Sequence, residues 1–280
     1  MNAVHPSTAS STSEDNPPGE PQVTTRKPSS PLETAESTSG TSETLMHESA
    51  DVHASSDDYA ARFQGEIGEW MLKIQEEALL SLLDTDTQTV LDIGGGHGQT
   101  ALPLSSAQKS VTVLGSAPVC GERLTSYISN GIISFNVGNL LHAPYQNSSF
   151  DTVVSFRLMS HSVAWKSLVG EMARLAHHSV IIDYPTWISV NFLSPLLFSI
   201  KRRIEGNTRT FKLFSGLDLQ AEFKRHGFIK ERAIKQFFFP MALHRRINSV
   251  RISAALERCA SLCGLTRLFG SPIIVKFVRK

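Results

Sequence analysis

The chain has 280 residues, 27 Lys+Arg against 26 Asp+Glu and 41% hydrophobic residues, which excludes a wholly disordered protein and gives room for one domain of about 220 residues. Its near-zero net charge joins unlike parts: residues 1–58 carry ten acidic and two basic side chains, whereas the final 80 carry 18 basic and five acidic. No run of about 18 consecutive apolar residues occurs, so a transmembrane helix is excluded on length.

Residues 1–57 contain 20 Ser or Thr and six of the 13 prolines, with no Phe, Trp or Tyr. Such a stretch cannot bury enough apolar surface to offset an ordering entropy of about 1–2 kcal/mol per residue. It reads as a disordered, acidic tail over 1–56, either a phosphorylated interaction segment or a solubilising extension. The first 30 residues lack a basic start followed by an apolar core, so no secretory signal is expected. The three cysteines, Cys120, Cys259 and Cys263, form no disulfide framework, and a reducing, cytoplasmic setting is expected.

Order is expected from residue 57. Tyr59, Phe63, Ile67, Trp70, Ile74, Ala78 and Leu82 recur at threes and fours, which predicts one amphipathic helix or two short ones over 57–84. From residue 89 the pattern becomes short apolar runs: Thr89–Ile93, Val111–Leu114, Ile132–Val137, Asp151–Phe156 and Ser179–Asp183. Helical stretches near 98–107, 118–129 and 163–176 separate them. Strands apolar on both faces, alternating with helices, predict a doubly wound α/β domain.

The segment VLDIGGGHGQT (90–100) is the most informative. An apolar strand ends in Asp92, and glycines follow at 94, 95, 96 and 98. A strand-to-helix turn of this kind lets backbone N–H groups approach a ligand, at the carboxyl end of a strand where open α/β sheets bind ligands. Position 99 is Gln, so the dinucleotide fingerprint G-x-G-x-x-G is not met, and no Lys-Ser or Lys-Thr pair follows to make a phosphate loop. Asp92, just before the glycines, is placed to attract a cationic or amino-bearing ligand; a turn-forming aspartate explains the same position. His97 is expected to be an exposed loop residue.

LDIGGGHG resembles the first motif, L-D-x-G-x-G-x-G, of the class I S-adenosylmethionine-dependent methyltransferases, in particular the small-molecule branch that includes ubiquinone and menaquinone biosynthesis enzymes. FNVGNLLHAPYQNSSFDTVVSFRLMSH and EMARLAHHSVIIDYP are similar to later segments of that core, and FSGLDLQAEFKRHGF (214–228) is a weaker echo. The resemblance implies a Rossmann-like seven-stranded sheet with its last strand antiparallel and S-adenosylmethionine as cofactor. Residues 228–239 and 271–280 suit the sixth and seventh strands, and the 31 residues between them, 240–270, predict a helical insertion.

Carried over residue by residue, the resemblance implies that Asp92 and the backbone of Gly94, Gly95 and Gly96 face the methionine part of the cofactor. Where the family has an acid for the ribose, at the end of the second strand, this chain has Gly115; Ser116 offers one hydroxyl contact, and Glu122 lies too far along. Asn139 replaces the usual adenine-binding aspartate and can still accept a hydrogen bond, with Leu140 beside the ring. Losing the ribose carboxylate forfeits about 1.5–3 kcal/mol of charge-assisted hydrogen bonding. This leaves two readings open, an active enzyme with an altered ribose site or a catalytically silent methyltransferase-fold binding protein. A base is needed only when the acceptor must lose a proton, and His161, Asp183 and Tyr184 are the candidates, with His161 placed first. Each has a structural explanation as well, in holding its loop or capping a turn.

Two features bear on the acceptor. NFLSPLLFSIKRRI (191–204), within a lid-like segment expected over 186–213, places an apolar run before Lys201, Arg202 and Arg203. That suits a small, amphipathic or lipid-like methyl acceptor or peripheral contact with an anionic membrane surface; a core-packing helix with a basic end fits equally. The basic final 80 residues, including the Arg245–Arg246 pair, suit an anionic ligand, but no aromatic base-stacking module accompanies them, so a nucleic-acid partner is not expected. Cys259 and Cys263 share a helix face without clustered histidines, and no metal site is expected.

Overall fold

A computed structural model describes residues 47–189 and 211–280. Seven strands form one sheet in the order β3-β2-β1-β4-β5-β7-β6. They are β1 (Thr89–Ile93), β2 (Ser110–Gly115), β3 (Ser134–Val137), β4 (Phe150–Ser155), β5 (Ala176–Tyr184), β6 (Phe228–Phe237) and β7 (Ser271–Arg279). The first five pair in parallel. β7 runs antiparallel to both β5 and β6, as the sequence predicts.

The central strands are buried on both faces and carry apolar residues on each. Successive residues point to opposite sides of a sheet. Leu91, Val153 and Val180 accordingly enter one buried cluster, while their neighbours Val90, Val154 and Ile181 enter another. The first cluster is closed by α6 (Trp165–Leu175) and α7 (Gly216–Arg225). α6 presents Leu168, Val169, Met172 and Leu175 at helical spacing. α7 starts at Ser215, whose side chain accepts from the Leu217 N–H, and buries Leu219 and Phe223. The second cluster is covered by α3 (Gly65–Leu82) and α4 (Ala101–Ser106).

The helical segment expected over 57–84 divides into α2 (Asp57–Ala60), a 3-10 turn over Ala61–Phe63 and α3. Ser56 caps α2 by accepting from the Tyr59 N–H. The break falls at Gly65, whose φ is +72°. The helical stretch expected over 118–129 divides likewise, into a 3-10 turn (Pro118–Leu124) and α5 (Thr125–Ser129). The insertion expected over 240–270 is helical: α8 (Met241–Ile247), α9 (Val250–Leu262) and α10 (Leu265–Phe269). Two side chains fasten it to the sheet edge: Lys235 of β6 donates to the Leu268 carbonyl at 2.7 Å, and Glu257 reaches the chain just after β6. The Glu257 carboxylate accepts from the Phe238 and Phe239 N–H groups and bonds His244 Nε2, each at 2.9 Å.

Ordered packing begins before residue 57. α1 (Asp51–Ala54) precedes the expected boundary, with Asp51 and Ala54 buried. The remainder of the expected tail, residues 1–46, and the apolar-basic stretch 191–204 lie outside the described residues. Among the described residues no helix is long and apolar enough to cross a membrane.

Candidate active site

The carboxyl ends of β1, β2, β4 and β5 meet at one edge of the sheet, and the glycine turn after β1 crosses it. Asp92 is buried beneath this turn. Its Oδ2 accepts from the Thr100 hydroxyl, while Oδ1 is buried without a hydrogen-bond partner. Burial pushes its carboxyl pKa up to about 7, against the opposing pull of the Thr100 bond. The loop lies so close over this carboxylate that a Cβ at Gly95 would stand 1.9 Å from Oδ2. Glycine is required there by close approach.

His97 is buried, not exposed as the sequence suggests. Nδ1 accepts from the Gln99 N–H at 3.0 Å, and Nε2 lies 3.4 Å from the Phe156 carbonyl, an arrangement that suits the neutral ring protonated on Nε2. Burial, helped by the charge of Arg157, pushes its pKa down to about 3. It therefore ties the glycine loop to the end of β4 as an uncharged strut.

Arg157 follows β4 with φ +63°, a left-handed conformation uncommon for a residue other than glycine. Its N–H donates to Asp183 Oδ1 at 2.6 Å, and its guanidinium donates to Tyr59 Oη and Gln75 Oε1 and lies 4.1 Å from the Phe63 ring centroid. Strain of this kind persists where the surroundings over-determine it. Here four partners from β5, α2, the following turn and α3 do so. Burial raises the carboxyl pKa of Asp183, with Arg157 pulling against it, and pushes the Tyr184 phenol up to about 12.

The remaining expected site residues divide. Ser116 is buried just after β2, and both its N–H and its hydroxyl donate to Asp51, at 2.7 and 2.5 Å. Asn139 accepts from the Leu141 N–H at 3.0 Å and shapes the turn after β3. Leu140 is fully buried in the first core cluster. His161 ends a 3-10 turn after β4 and packs its ring 5.8 Å from that of Phe211. Asp92, Gly94–Gly96 and Ser116 are thus brought together at the carboxyl edge of the sheet, all of them buried. Asp51, Gln75, Thr100, Cys120 and Arg157 also belong to it and were not singled out in the sequence. The charge of Arg157 alone was a usable signal; Asp51 gave none, standing in a Ser/Thr-rich acidic stretch.

A glycine loop over a buried, half-satisfied carboxylate suits a ligand that brings an ammonium group to Asp92 and tolerates bare amides. S-adenosylmethionine has that chemistry, and the donor set fits it. Residues 90–178 match the sequence model of a family described as a methyltransferase domain. In fold the chain is similar to magnesium protoporphyrin IX methyltransferase from Synechocystis PCC 6803, solved with bound S-adenosylhomocysteine (TM-score 0.54, 16% identity, 80% of this chain and 94% of that one). It is also similar to a chain from the Haloferax volcanii complex of the Trm112 methyltransferase activator with a putative methyltransferase (0.55, 18%, 80% and 94%). A third likeness is to a possible histamine N-methyltransferase from Thermotoga maritima (0.52, 12%, 80% and 95%). At these identities the likeness is one of fold. Together, the matched segment and the sheet order show a methyltransferase-domain match over residues 90–178 set in a seven-stranded sheet of methyltransferase fold.

Proposed function

We propose that this protein transfers a methyl group from S-adenosylmethionine to a small, amphipathic or lipid-like acceptor. The observation that carries the reading is Asp92, a buried carboxylate with one unpaired oxygen directly under the glycine turn. A buried acceptor left without a partner costs about 1–3 kcal/mol. A cationic amine from the ligand removes that cost.

Asp92 and the backbone of Gly94–Gly96 hold the amino-acid end, and Ser116 and Asn139 are assigned to the nucleoside. When bound, the cofactor supplies a methyl group on a positively charged sulfur, which passes to a lone pair of the acceptor. The chain's contribution is alignment and exclusion of water. His97 ties the glycine turn to the Phe156 carbonyl after β4, and Arg157 ties the next residue to Asp183, α2 and α3, which holds the loop after β4 in place. His161 takes a proton where the acceptor must lose one.

The resemblance to the quinone-biosynthesis branch supports an acceptor with apolar character. Guanidinium groups support an anionic head on it. Arg62 and Arg157 lie 5.0 and 5.9 Å from the Tyr59 ring centroid. Burial, helped by the charge of Arg62, lowers the pKa of Arg245. The silent-binder alternative is not favoured, given the matched methyltransferase domain.

Calorimetric titration of the full chain with S-adenosylmethionine and S-adenosylhomocysteine tests the cofactor. Binding of both is expected, weakened by Asp92→Asn; no heat from either at millimolar ligand, with the full chain and with its Asp51→Ala variant alike, overturns the reading. Comparing metabolite profiles of cells with and without the protein, for products heavier by one methyl group, then identifies the acceptor.

A further inference from the structure

The crevice has an occupant from the chain itself. Residues 48–55 lie across it, from the turn after β4 to the turn after β2, fastened by two carboxylates. Glu48 accepts from the Ser49 and Ala50 N–H groups at 3.1 Å through Oε1 and from the Ser162 hydroxyl at 2.6 Å through Oε2. Asp51 is fully buried. Its Oδ2 accepts from the Ser116 N–H at 2.7 Å and from the Cys120 thiol at 3.3 Å, and its Oδ1 accepts from the Ser116 hydroxyl at 2.5 Å. No cation pairs with it among the described residues.

The same segment presses on the glycine turn. The Asp51 Cβ lies 3.3 Å from where a Cβ of Gly94 would stand, and Ser55 Oγ lies 2.4 Å from that of Gly96. Ser55 Oγ is buried there without a partner. The segment's hold is chiefly polar: of its apolar side chains only Ala54 is fully inside. A carboxylate buried without a cation, next to an orphaned hydroxyl, is a costly arrangement for a purely structural contact.

We propose that α1 is an autoinhibitory occupant of the nucleoside side of the crevice, in which Asp51 takes the donors of Ser116 and Cys120, and that S-adenosylmethionine binds only after α1 is displaced. This rests on the cofactor reading above. Contacts between Asp51 and Ser116 and nucleoside contacts to Ser116 draw on the same N–H and hydroxyl, so the two states exclude one another. The apparent affinity is then the intrinsic affinity reduced by the fraction of molecules with α1 released. The charge that Gly115 fails to supply at the end of β2 is present in the closed state, where it serves the chain and not the ligand.

The test is titration of S-adenosylhomocysteine into the full chain and its Asp51→Ala variant, with hydrogen exchange of the amides of residues 50–56 followed in the wild type. Asp51→Ala is expected to tighten binding about tenfold or more, and ligand is expected to speed exchange across 50–56. Wild-type binding with unchanged or weaker affinity in the variant, or slowed exchange, overturns the proposal; Asp51 is then a contact made to the ligand. No binding to either form overturns the proposal and the cofactor reading together. Should the variant fail to fold, the direction of the wild-type exchange change decides.

Discussion

Asp92→Asn separates the electrostatic role of this carboxylate from its shape. Burial raises its carboxyl pKa from 3.8 to about 7, with only the Thr100 hydroxyl stabilising the charge. Because the folded pKa lies above the unfolded one, the group's contribution to stability is fully present below pH 3.8. It is lost as the pH rises through about 7. At about 1.4 kcal/mol per pH unit, the penalty for carrying the charge reaches about 4 kcal/mol. The amide keeps the acceptor for Thr100 but adds N–H donors to a site without acceptors, at about 1–3 kcal/mol. The variant is therefore expected to be less stable than the wild type near pH 4 and more stable by about 1–3 kcal/mol near pH 8.5. His97 titrates in the opposite sense, its contribution present above pH 6.5 and lost as the pH falls towards about 3, but both proteins share it and it cancels in the difference. Urea denaturation of both proteins across this pH range measures the difference directly. A difference that stays flat with pH, or that favours the wild type increasingly as the pH rises, refutes a raised pKa at Asp92.

Gly96→Ala would set a Cβ 2.1 Å from the Cys120 carbonyl oxygen, a backbone atom that cannot swing away. A loss of about 1–3 kcal/mol is expected, read as a melting temperature lower by about 2–4 °C per kcal/mol; an unchanged melt would refute the close approach. Phe223→Ala removes a ring stacked on Phe277 at 3.9 Å and 13° in the core under α7. It should cost about 3–5 kcal/mol in urea denaturation, and a cost below about 1 kcal/mol would show that α7 contributes little to the core.

The centre of the sheet was legible because β1, β2, β4 and β5 carry apolar residues on both faces, a pattern that a half-exposed strand or an amphipathic helix does not produce. β1 falls on its expected limits, and β6 and β7 flank the predicted helical insertion. Polar burial was much less legible, because its compensation comes from distant residues. Lys276 breaks the apolar run of β7, yet it is buried with Asp84 at 2.5 Å and Glu231 at 2.7 Å. His97 looked like an exposed loop residue, and its partner is the carbonyl of Phe156, 59 positions away. Asp51 meets Ser116 across 65 positions from a stretch whose composition argues for disorder. Periodicity reports which faces are covered; it carries no information on which single carboxylate crosses the molecule to meet a donor.

Gly115 illustrates how packing constrains electrostatics at the crevice. A Cβ there would lie 2.9 Å from the Cys120 Cβ and 2.9 Å from the Phe135 ring, so the end of β2 has no room for an acidic side chain unless both neighbours move. Restoring a carboxylate at 115 by substitution would therefore disturb the 3-10 turn that holds Cys120 before it could add a hydrogen bond. The same turn carries the thiol that donates to Asp51 and the carbonyl that crowds Gly96. One short segment, Pro118–Leu124, thus closes the β2 side of the crevice against the glycine turn and fixes the place where α1 docks. Movement of α1 frees the Ser116 N–H and hydroxyl while leaving the buried Asp92 and its Thr100 bond in place. The crevice then has a fixed half under the glycine turn and an exchangeable half beside β2. On the proposed reading, that division lets a chain without an acid at the end of β2 hold its amino-acid subsite ready while α1 occupies its nucleoside subsite.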